Sequence, residues 1–161
     1  MKKLTRSKLI KKLDKVFSLY IRQRYAKNEI AQCFTCGKKD HWKKLQCGHF
    51  QSRRFYSTRW DEINCQVQCA GCNVFRFGEQ FKFSIHLDQQ YGQNTSSRLE
   101  TKAKEILKIS TLELEEMIKK YQELVKIISK QGQEKYITIF VITKLRLPRS
   151  NPKKSIGKIK T

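Results

Sequence analysis

Two Cys-x-x-Cys pairs constrain this chain more than any other feature of its sequence. They are Cys33-Phe-Thr-Cys36, which Gly37 follows, and Cys69-Ala-Gly-Cys72. A two-residue gap lets both sulfurs of a pair face one ion, and four thiolates suit a closed tetrahedral zinc site. The glycine after the first pair permits a tight backbone turn. We therefore predict a structural Zn²⁺ that ties together two segments too short and polar to form a core of their own.

The six cysteines are expected to stay reduced. The N-terminal stretch MKKLTRSKLIKKL is basic but lacks the apolar region of a secretory signal, so we expect a cytoplasmic protein. In that compartment, paired cysteines are typical of metal sites and not of disulfides. Cys47 and Cys65 have no close partner in the sequence and are expected to be buried free thiols.

The charge balance favours a polyanionic partner. Lysine and arginine number 35 and the acidic residues 14, which gives a net charge of +21. DNA or RNA fits this excess, whereas a membrane is not expected because the chain has no long apolar span. Arg53 and Arg54, which closely follow His49, are candidate phosphate contacts. Arg59 is a candidate DNA contact, with a solvated surface charge as the alternative.

Hydrophobic periodicity predicts an α+β protein: a small zinc-stapled module flanked by amphipathic helices. Apolar residues from Leu9 to Ile21 recur at helical spacing, and the helical period disappears where the cysteines begin. The predicted parts are a basic N-terminal helix (1–29), the zinc-stapled module (30–92), a helical extension (93–131), and a strand with a basic C-terminal tail (132–161).

The helical extension carries its own boundary signals. Ser110 and Glu113 form a capping box, in which each side chain can bond the backbone of the other residue. An apolar stripe follows, which is typical of a core or of a partner-helix face, and Gly132 is expected to end it. The segment KYITIFVITKLRL, residues 135–147, is rich in β-branched and aromatic residues and predicts a strand.

His49 lies between the two cysteine pairs, in the stretch QCGHFQSRRF. A histidine in such a place can be a metal ligand, a buried ring or the base of an enzyme. Four cysteines already complete a zinc shell, which makes the ligand hypothesis the weaker one. A neutral imidazole with an ordinary pKa of about 6.5 can accept a proton from water at neutral pH.

The order CxxCG, GHF, Asn64 and CxxCN resembles that of HNH endonucleases with a four-cysteine zinc site and a ββα-metal fold. More narrowly, several stretches are similar to the NinG (Rap) recombination proteins of lambdoid phages. These are SLYIRQRYA, CFTCGKKDHWKKLQCGHFQSRR and RWDEINCQVQCAGCN, with Gly78 and Tyr91-Gly92 downstream. The resemblance covers roughly residues 15–92, and the combined motif is specific.

The resemblance implies a role for each matching residue. His49 matches the general base that activates water, and Asn64 matches the asparagine that braces the loop and orients the histidine. Asn73 matches a ligand of a catalytic divalent ion, Mg²⁺ or Mn²⁺. The structural zinc ligands match Cys33, Cys36, Cys69 and Cys72.

Gly48 departs from the HNH pattern. Many HNH enzymes have an Asp or His immediately before the base, as a second ligand of the catalytic ion. Asp61, Glu62 or Cys47 are candidates to complete the shell of the ion here, as are water and phosphate oxygens.

These features predict a metal-dependent DNA endonuclease. By resemblance, the substrate is a branched recombination intermediate such as a D-loop or Holliday junction, in the cytoplasm of the host cell. A homodimer, formed through the helix at 110–131, would supply the two cuts that a symmetric junction needs. The alternatives are a non-catalytic zinc-ribbon nucleic-acid-binding protein and an RNA-binding protein of ribosomal type. Neither needs His49, Asn64 and Asn73 in this order.

Overall fold

Helices and short antiparallel hairpins alternate along the chain, which confirms the predicted α+β class. The computed structural model describes the backbone of residues 4–145 and the side chains of residues 4–130. A 3-10 turn at Trp42–Lys44 leads into the third strand, and a π-helical turn at Gly71–Phe75 follows the fourth. The elements are α1 (Arg6–Gln23), β1 (Ile30–Gln32), β2 (Lys39–His41), β3 (Gln46–His49), α2 (Tyr56–Arg59), β4 (Cys65–Gln68), α3 (Gln80–Tyr91), α4 (Thr95–Ala103) and α5 (Thr111–Leu145).

The strands form two separate hairpins, β1 with β2 and β3 with β4. In the second hairpin, Gln46 lies opposite Gln68 and His49 lies opposite Cys65. Directly opposite residues share a face of an antiparallel pair, and successive residues alternate between faces. One face of this hairpin therefore carries Gln46, Gly48, Gln66 and Gln68, and the other carries Cys47, His49, Cys65 and Val67.

The larger core lies between α1, α5 and the second face of the β3–β4 hairpin. The buried residues of α1 recur every four positions, which places them on one side of the helix. The Phe17 ring packs edge to face on the Tyr121 ring, with centroids 4.8 Å apart. The buried set includes Leu9, Leu13, Phe17 and Ile21 from α1, Leu114, Ile118 and Tyr121 from α5, and Cys47, Cys65 and Val67 from the hairpin.

A smaller cluster joins α3 and α4 to the first cysteine pair. Phe83, Leu87 and Leu99 are buried together, and Phe34 and Phe50 pack against them. The ring centroids of Phe34 and Phe83 are 5.1 Å apart. Because Phe34 lies inside the first Cys-x-x-Cys pair, this contact fixes the pair against α3.

The predicted capping box of α5 is confirmed, but the end of the helix is not. The Ser110 N–H donates to Glu113 Oε2 over 2.6 Å, and the Glu113 N–H donates to Ser110 Oγ over 3.2 Å. The helix continues through Gly132 to Leu145, so the prediction of a strand is wrong for residues 135–145. The described strands pair only with each other. A strand here would have no partner strand for its backbone N–H and C=O groups. When an existing helix is extended, these groups form hydrogen bonds within the helix.

Two further predictions concern α5 and the chain as a whole. The predicted basic tail lies in residues 146–161, outside the described residues. Leu114, Ile118 and Tyr121 already pack in the core, so this part of the apolar stripe is not available to a second copy. Within the described residues, no helix combines the length and the apolar character needed to cross a membrane.

Candidate zinc site and catalytic residues

The four predicted zinc ligands come together in the structure. The sulfurs of Cys33, Cys36, Cys69 and Cys72 all lie within 4.8 Å of one another. Cys36 Sγ and Cys69 Sγ, one from each pair, are 3.7 Å apart. Four sulfurs at about 2.3 Å from a central zinc are separated by about 3.8 Å along the edges of the tetrahedron. The cluster therefore has the size that a zinc ion requires, and it could hold one.

Local backbone turns explain how each pair presents its sulfurs. The Gly37 N–H donates to the Cys33 carbonyl over 2.9 Å, and Gly37 has a φ of +73°, a conformation that glycine adopts without strain. The predicted need for glycine at this turn is confirmed. In the second pair, the Cys72 N–H donates to the Cys69 carbonyl over 3.1 Å. The Phe34 N–H donates to the Val67 carbonyl over 2.7 Å and joins the first turn to β4.

The thiol of Cys72 has to lose its proton before its sulfur can bind zinc. Cys72 is fully buried, and burial raises the pKa of its thiol above the ordinary value. A metal ion would hold such a sulfur as thiolate, which is the form that binds metal. Arg76 already lies close, with Nη2 at 2.9 Å from Cys72 Sγ.

His49 ends β3, and its ring is held by a backbone carbonyl. The Nε2 atom lies 3.0 Å from the carbonyl oxygen of Arg59. A carbonyl oxygen only accepts hydrogen bonds, so the neutral ring donates from Nε2 and keeps its lone pair on Nδ1. Burial, and after it the positive charge of Arg53, lower the pKa of His49 to about 4. The ring is therefore neutral at pH 7.

Arg59 is held inside the structure by α1. Its Nη2 and Nε atoms lie 2.6 and 3.0 Å from the two carboxylate oxygens of Asp14, and its Nη1 atom donates to the Arg53 carbonyl over 3.0 Å. The side chain is only 17% exposed, so it is not the solvated charge of the sequence-based alternative. Its contact with DNA stays a prediction, whereas its carbonyl positions His49. Arg53 and Arg54 are exposed.

Asn64 is fully buried and ties together the connection between β3 and β4. Its Oδ1 atom accepts from the Gln51 N–H over 2.6 Å. Its Nδ2 atom donates to the carbonyls of Gln51 and Thr58, over 3.0 and 2.9 Å. These bonds fix the loop that carries Arg59, and through it the carbonyl that holds His49. Asn64 thus positions His49 indirectly, through the loop, and does not hydrogen-bond to its ring.

Asn73 lies in the π-helical turn after Cys72 and meets the other end of β3. Its Nδ2 atom donates to Gln46 Oε1 over 2.6 Å, which leaves its Oδ1 atom for a ligand. Gln46 and His49 are three residues apart, or about 10 Å along a strand, and they lie on opposite faces. The structure does not bring Asn73 and His49 into direct contact.

Gln68 is a residue that the sequence analysis missed. A Cβ atom on Gly48 would lie 2.0 Å from Gln68 Oε1, so Gln68 fills the space of a side chain at position 48. Gln68 Nε2 donates to Thr35 Oγ1 over 3.2 Å and to the Gly78 carbonyl over 2.8 Å. Its Oε1 atom is buried and has no hydrogen-bond partner. The alternation Gln66, Gln68 before the cysteine is the one signal that could have indicated a shared polar face.

The acidic candidates for a second ligand are engaged elsewhere. Asp61 Oδ1 accepts from the backbone of Ile63 and Asn64, and Oδ2 pairs with a lysine of α4. Glu62 accepts from the hydroxyls of Tyr20 and Tyr121 over 2.8 and 3.2 Å. These carboxylates fasten the loop to the helices, and both of their oxygens already have partners in the protein.

His49 also belongs to a second cluster of possible metal ligands. Its ring and the sulfurs of Cys47 and Cys65 lie within 4.8 Å of one another. Both cysteines are buried free thiols, as predicted. Burial raises the pKa of Cys65 well above its ordinary value, so that this sulfur is a thiol unless a cation binds it.

The comparison with family models decides which family this is. The model described as Bacteriophage Lambda NinG protein matches residues 1–132. This chain belongs to the NinG family. Neither the curated proteins nor the solved structures contain a significant match to it.

The NinG match reaches further than the motifs do. It covers α1, α4 and the first part of α5 as well as the segment from residue 15 to 92 on which the resemblance was based. Every predicted site residue therefore lies within the NinG segment. The helices that pack around the β3–β4 hairpin lie within it too, at least as far as residue 132.

Proposed function

We propose that this NinG-family protein is a metal-dependent DNA endonuclease of the HNH type that acts in phage recombination. The substrate we propose is branched DNA, such as a Holliday junction or a D-loop. The observation that carries the proposal is the state of His49, whose ring is neutral at pH 7, is anchored through Nε2 and keeps its lone pair on Nδ1. A general base needs this combination.

In the proposed reaction, His49 Nδ1 takes a proton from a water molecule as the water oxygen attacks the phosphorus. The bond from phosphorus to the leaving oxygen then breaks, that oxygen takes up a proton from solvent water, and His49 returns its own proton to solvent. A pKa of about 4 makes the free ring a weak base. The negative charge of a bound phosphate would favour the protonated ring and so raise its basicity in the complex. Arg53 and Arg54 are exposed, and in this proposal they contact phosphates near His49.

In this proposal, Asn73 binds a divalent ion beside the face of the hairpin that carries Gln46. Mg²⁺ and Mn²⁺ bind hard oxygen ligands such as amide carbonyls. Asn73 Oδ1 is the oxygen that we assign to the ion, since Gln46 engages only the Nδ2 atom of this amide. When bound, such an ion would neutralise the charge of a DNA phosphate held beside Asn73. The zinc site supplies rigidity alone in this proposal.

The cluster of Cys47, His49 and Cys65 supports one alternative function, that of a non-catalytic zinc protein. If Cys47, His49 and Cys65 hold an ion, His49 is a ligand and its lone pair is used. The protein would then be a non-catalytic zinc protein that binds nucleic acid through its positive charge.

Cleavage of branched and linear DNA, with Mg²⁺ or Mn²⁺ and with EDTA, tests the proposal. We expect His49→Ala to lower cleavage on the order of a hundredfold, the usual scale for an acid–base group, with zinc content and DNA binding preserved. Asn73→Ala should also lower cleavage, and excess Mn²⁺ should restore part of it. His86→Ala is the matched control, because His86 Nδ1 also lies against a backbone carbonyl, that of Phe34, at 2.6 Å.

Two results would contradict the proposal in different ways. Loss of zinc from His49→Ala would make His49 a structural ligand and favour the non-catalytic alternative. A folded His49→Ala protein that cuts at the wild-type rate would exclude His49 as the base.

A further inference from the structure

Three phenylalanine rings that follow Cys72 in the sequence are exposed to solvent. Phe75, Phe77 and Phe81 expose 77%, 88% and 78% of their surface. Large aromatic side chains usually bury most of their area, and Phe83 in the same helix is fully buried. These three exposed rings lie within one seven-residue segment, and we name the group the phenylalanine platform.

The backbone holds this platform outward. Phe77, Gly78 and Glu79 have φ values of 51°, 86° and 52°, three successive residues in the left-handed region. A bulky side chain rarely adopts that conformation, and strained residues of this kind cluster at functional sites. The turn is also fastened to the zinc site, because the Gly78 N–H donates to the Cys72 carbonyl over 2.8 Å. Phe77 is thus held in place on the surface by the fold.

Charged residues alternate with the rings. Arg76 and Lys82 lie beside them, and Glu79 pairs with both, so the segment carries a net charge of about plus one by this count. The whole chain carries +21. Asn73, a proposed ligand of the catalytic ion, precedes Phe75 by two residues. An anionic molecule with flat apolar surfaces fits this combination better than a purely apolar partner does.

We propose that the phenylalanine platform stacks unpaired bases of a DNA strand. Aromatic side chains bind single strands by stacking, while nearby cations contact the backbone. In a continuous duplex the bases stack on each other and offer no free face, whereas a branch point or a single strand does. This inference rests on the proposed function and deepens it, because it names DNA with unpaired bases next to the cut as the substrate class.

Binding without cleavage provides the test. The zinc-loaded protein, without Mg²⁺ or Mn²⁺, is titrated into fluorescein-labelled single-stranded, forked and duplex DNA of matched length, with anisotropy as the readout. We expect the triple variant Phe75→Ala/Phe77→Ala/Phe81→Ala to bind single-stranded and forked DNA at least about a hundredfold more weakly, and duplex less than about threefold more weakly. Single variants should each lose about tenfold on the single strand.

The chain offers a matched control for loss of exposed apolar surface. Ile106 and Leu112 are 92% and 64% exposed and lie far along the chain from the platform. The double variant Ile106→Ala/Leu112→Ala should bind all three DNAs as the wild type does. A 2-aminopurine placed in the single strand should change its fluorescence on binding the wild type and not on binding the triple variant.

Three results would contradict the proposal that the phenylalanine platform stacks unpaired bases. Equal losses on duplex and single strand would show that the rings do not select unpaired bases, and unchanged binding would show that they do not touch DNA. A wild type that sediments as a dimer, with a monomeric triple variant of unchanged affinity per chain, would assign the surface to a second copy. A failure of the proposed nuclease function can be told apart from these results. The wild type would then not cleave DNA, but the triple variant would still lose affinity for single-stranded and forked DNA and not for duplex.

Discussion

At the scale of single residues, one hydrogen bond determines the chemistry of His49. The Arg59 carbonyl accepts a hydrogen bond from the Nε2–H group, and the lone pair of the neutral ring is therefore on Nδ1. Burial keeps the ring neutral. The sequence GHF alone predicts neither the hydrogen bond nor the burial, because both depend on a loop that brings residue 59 back to residue 49.

The pKa of His49 predicts a pH dependence of stability. The ring has a pKa of about 4 in the folded protein against an ordinary 6.5, so the unfolded chain takes up the proton first as pH falls. The part of the unfolding free energy that depends on the neutral His49 ring is fully present above about pH 6.5 and is lost progressively as pH falls toward 4. His49→Gln keeps a donor for the Arg59 carbonyl but cannot titrate. Relative to this variant, the wild type should lose about 1.4 kcal/mol of unfolding free energy between pH 7.5 and 5.5.

Urea unfolding of the two zinc-loaded proteins at several pH values measures this difference. Carboxylates and zinc ligands are the same in both, so their titration cancels. Parallel stability curves would mean that His49 titrates at its ordinary pKa and is not buried as a neutral ring.

Gly48 and Gln68 predict a pair of coupled substitutions. Gly48→Asp places a side chain where Gln68 Oε1 lies, 2.0 Å from the new Cβ, and should cost about 1–3 kcal/mol of unfolding free energy. The double variant Gly48→Asp/Gln68→Ala removes the obstruction and introduces a carboxylate at position 48. We expect it to be more stable than Gly48→Asp and to bind Mn²⁺ more tightly than the wild type.

Unfolding in urea and Mn²⁺ titration by calorimetry measure the two effects separately. Gln68→Ala alone is the control, since it loses the bonds to Thr35 and Gly78 and gains no carboxylate. If the double variant is no more stable than Gly48→Asp, Gln68 is not what excludes a side chain at position 48.

At the scale of elements, helix α1 supports the site from outside the zinc module. Helical spacing is enough to predict which face of α1 is buried, because that face depends only on local periodicity. The sequence does not indicate that Asp14, on the same helix, would hold both Arg59 and Trp60. Those partners lie some 45 residues away, and only the packing of α1 on the hairpin brings them together. This long-range contact is the part of the site that sequence reasoning could not supply.

Asp14 therefore predicts an effect at a distance. Asp14→Ala removes a two-point ion pair whose partners are 26% and 17% exposed and leaves Arg59 and the Trp60 N–H without their acceptor. We expect a loss of about 1–3 kcal/mol of unfolding free energy and slower cleavage per folded molecule, because the Arg59 carbonyl is no longer fixed. Glu123→Ala, which removes an exposed ion pair with Lys126, should change stability by less than about 1 kcal/mol. Equal effects of the two substitutions would mean that α1 does not support the site.

At the scale of the whole molecule, the elements that local patterns specify are those that sequence analysis predicted correctly. The cysteine spacing predicts the cluster, and the capping box predicts the start of α5. The strand predicted at 135–147 is wrong up to Leu145 because β-branched composition gives a preference, which the context of a continuing helix overrides. The β3–β4 hairpin that carries His49 is built from strands of only four residues each, too short for periodicity to reveal.

The four cysteines link the two cores, and this position predicts what zinc contributes. Cys33, Cys69 and Cys72 belong to the larger core, while Phe34 packs in the smaller one. Zinc binding contributes about 10–16 kcal/mol in small zinc domains, comparable with the entire stability of a small protein. Removal of zinc should therefore unfold the module and not merely loosen it.

Elemental analysis of the purified protein should find about one zinc per chain, as four thiolates around one ion require. Cys69→Ser should lose the ion and leave the module unfolded or insoluble, with the loss of near-UV circular dichroism as the measurement. Cys47→Ser is the matched control, a buried cysteine outside the four-sulfur cluster, and should keep both zinc and fold. About two zinc ions per chain, falling to about one in Cys47→Ser, would place the second ion on Cys47, His49 and Cys65. His49 would then be a ligand, and its lone pair could not accept the proton from water.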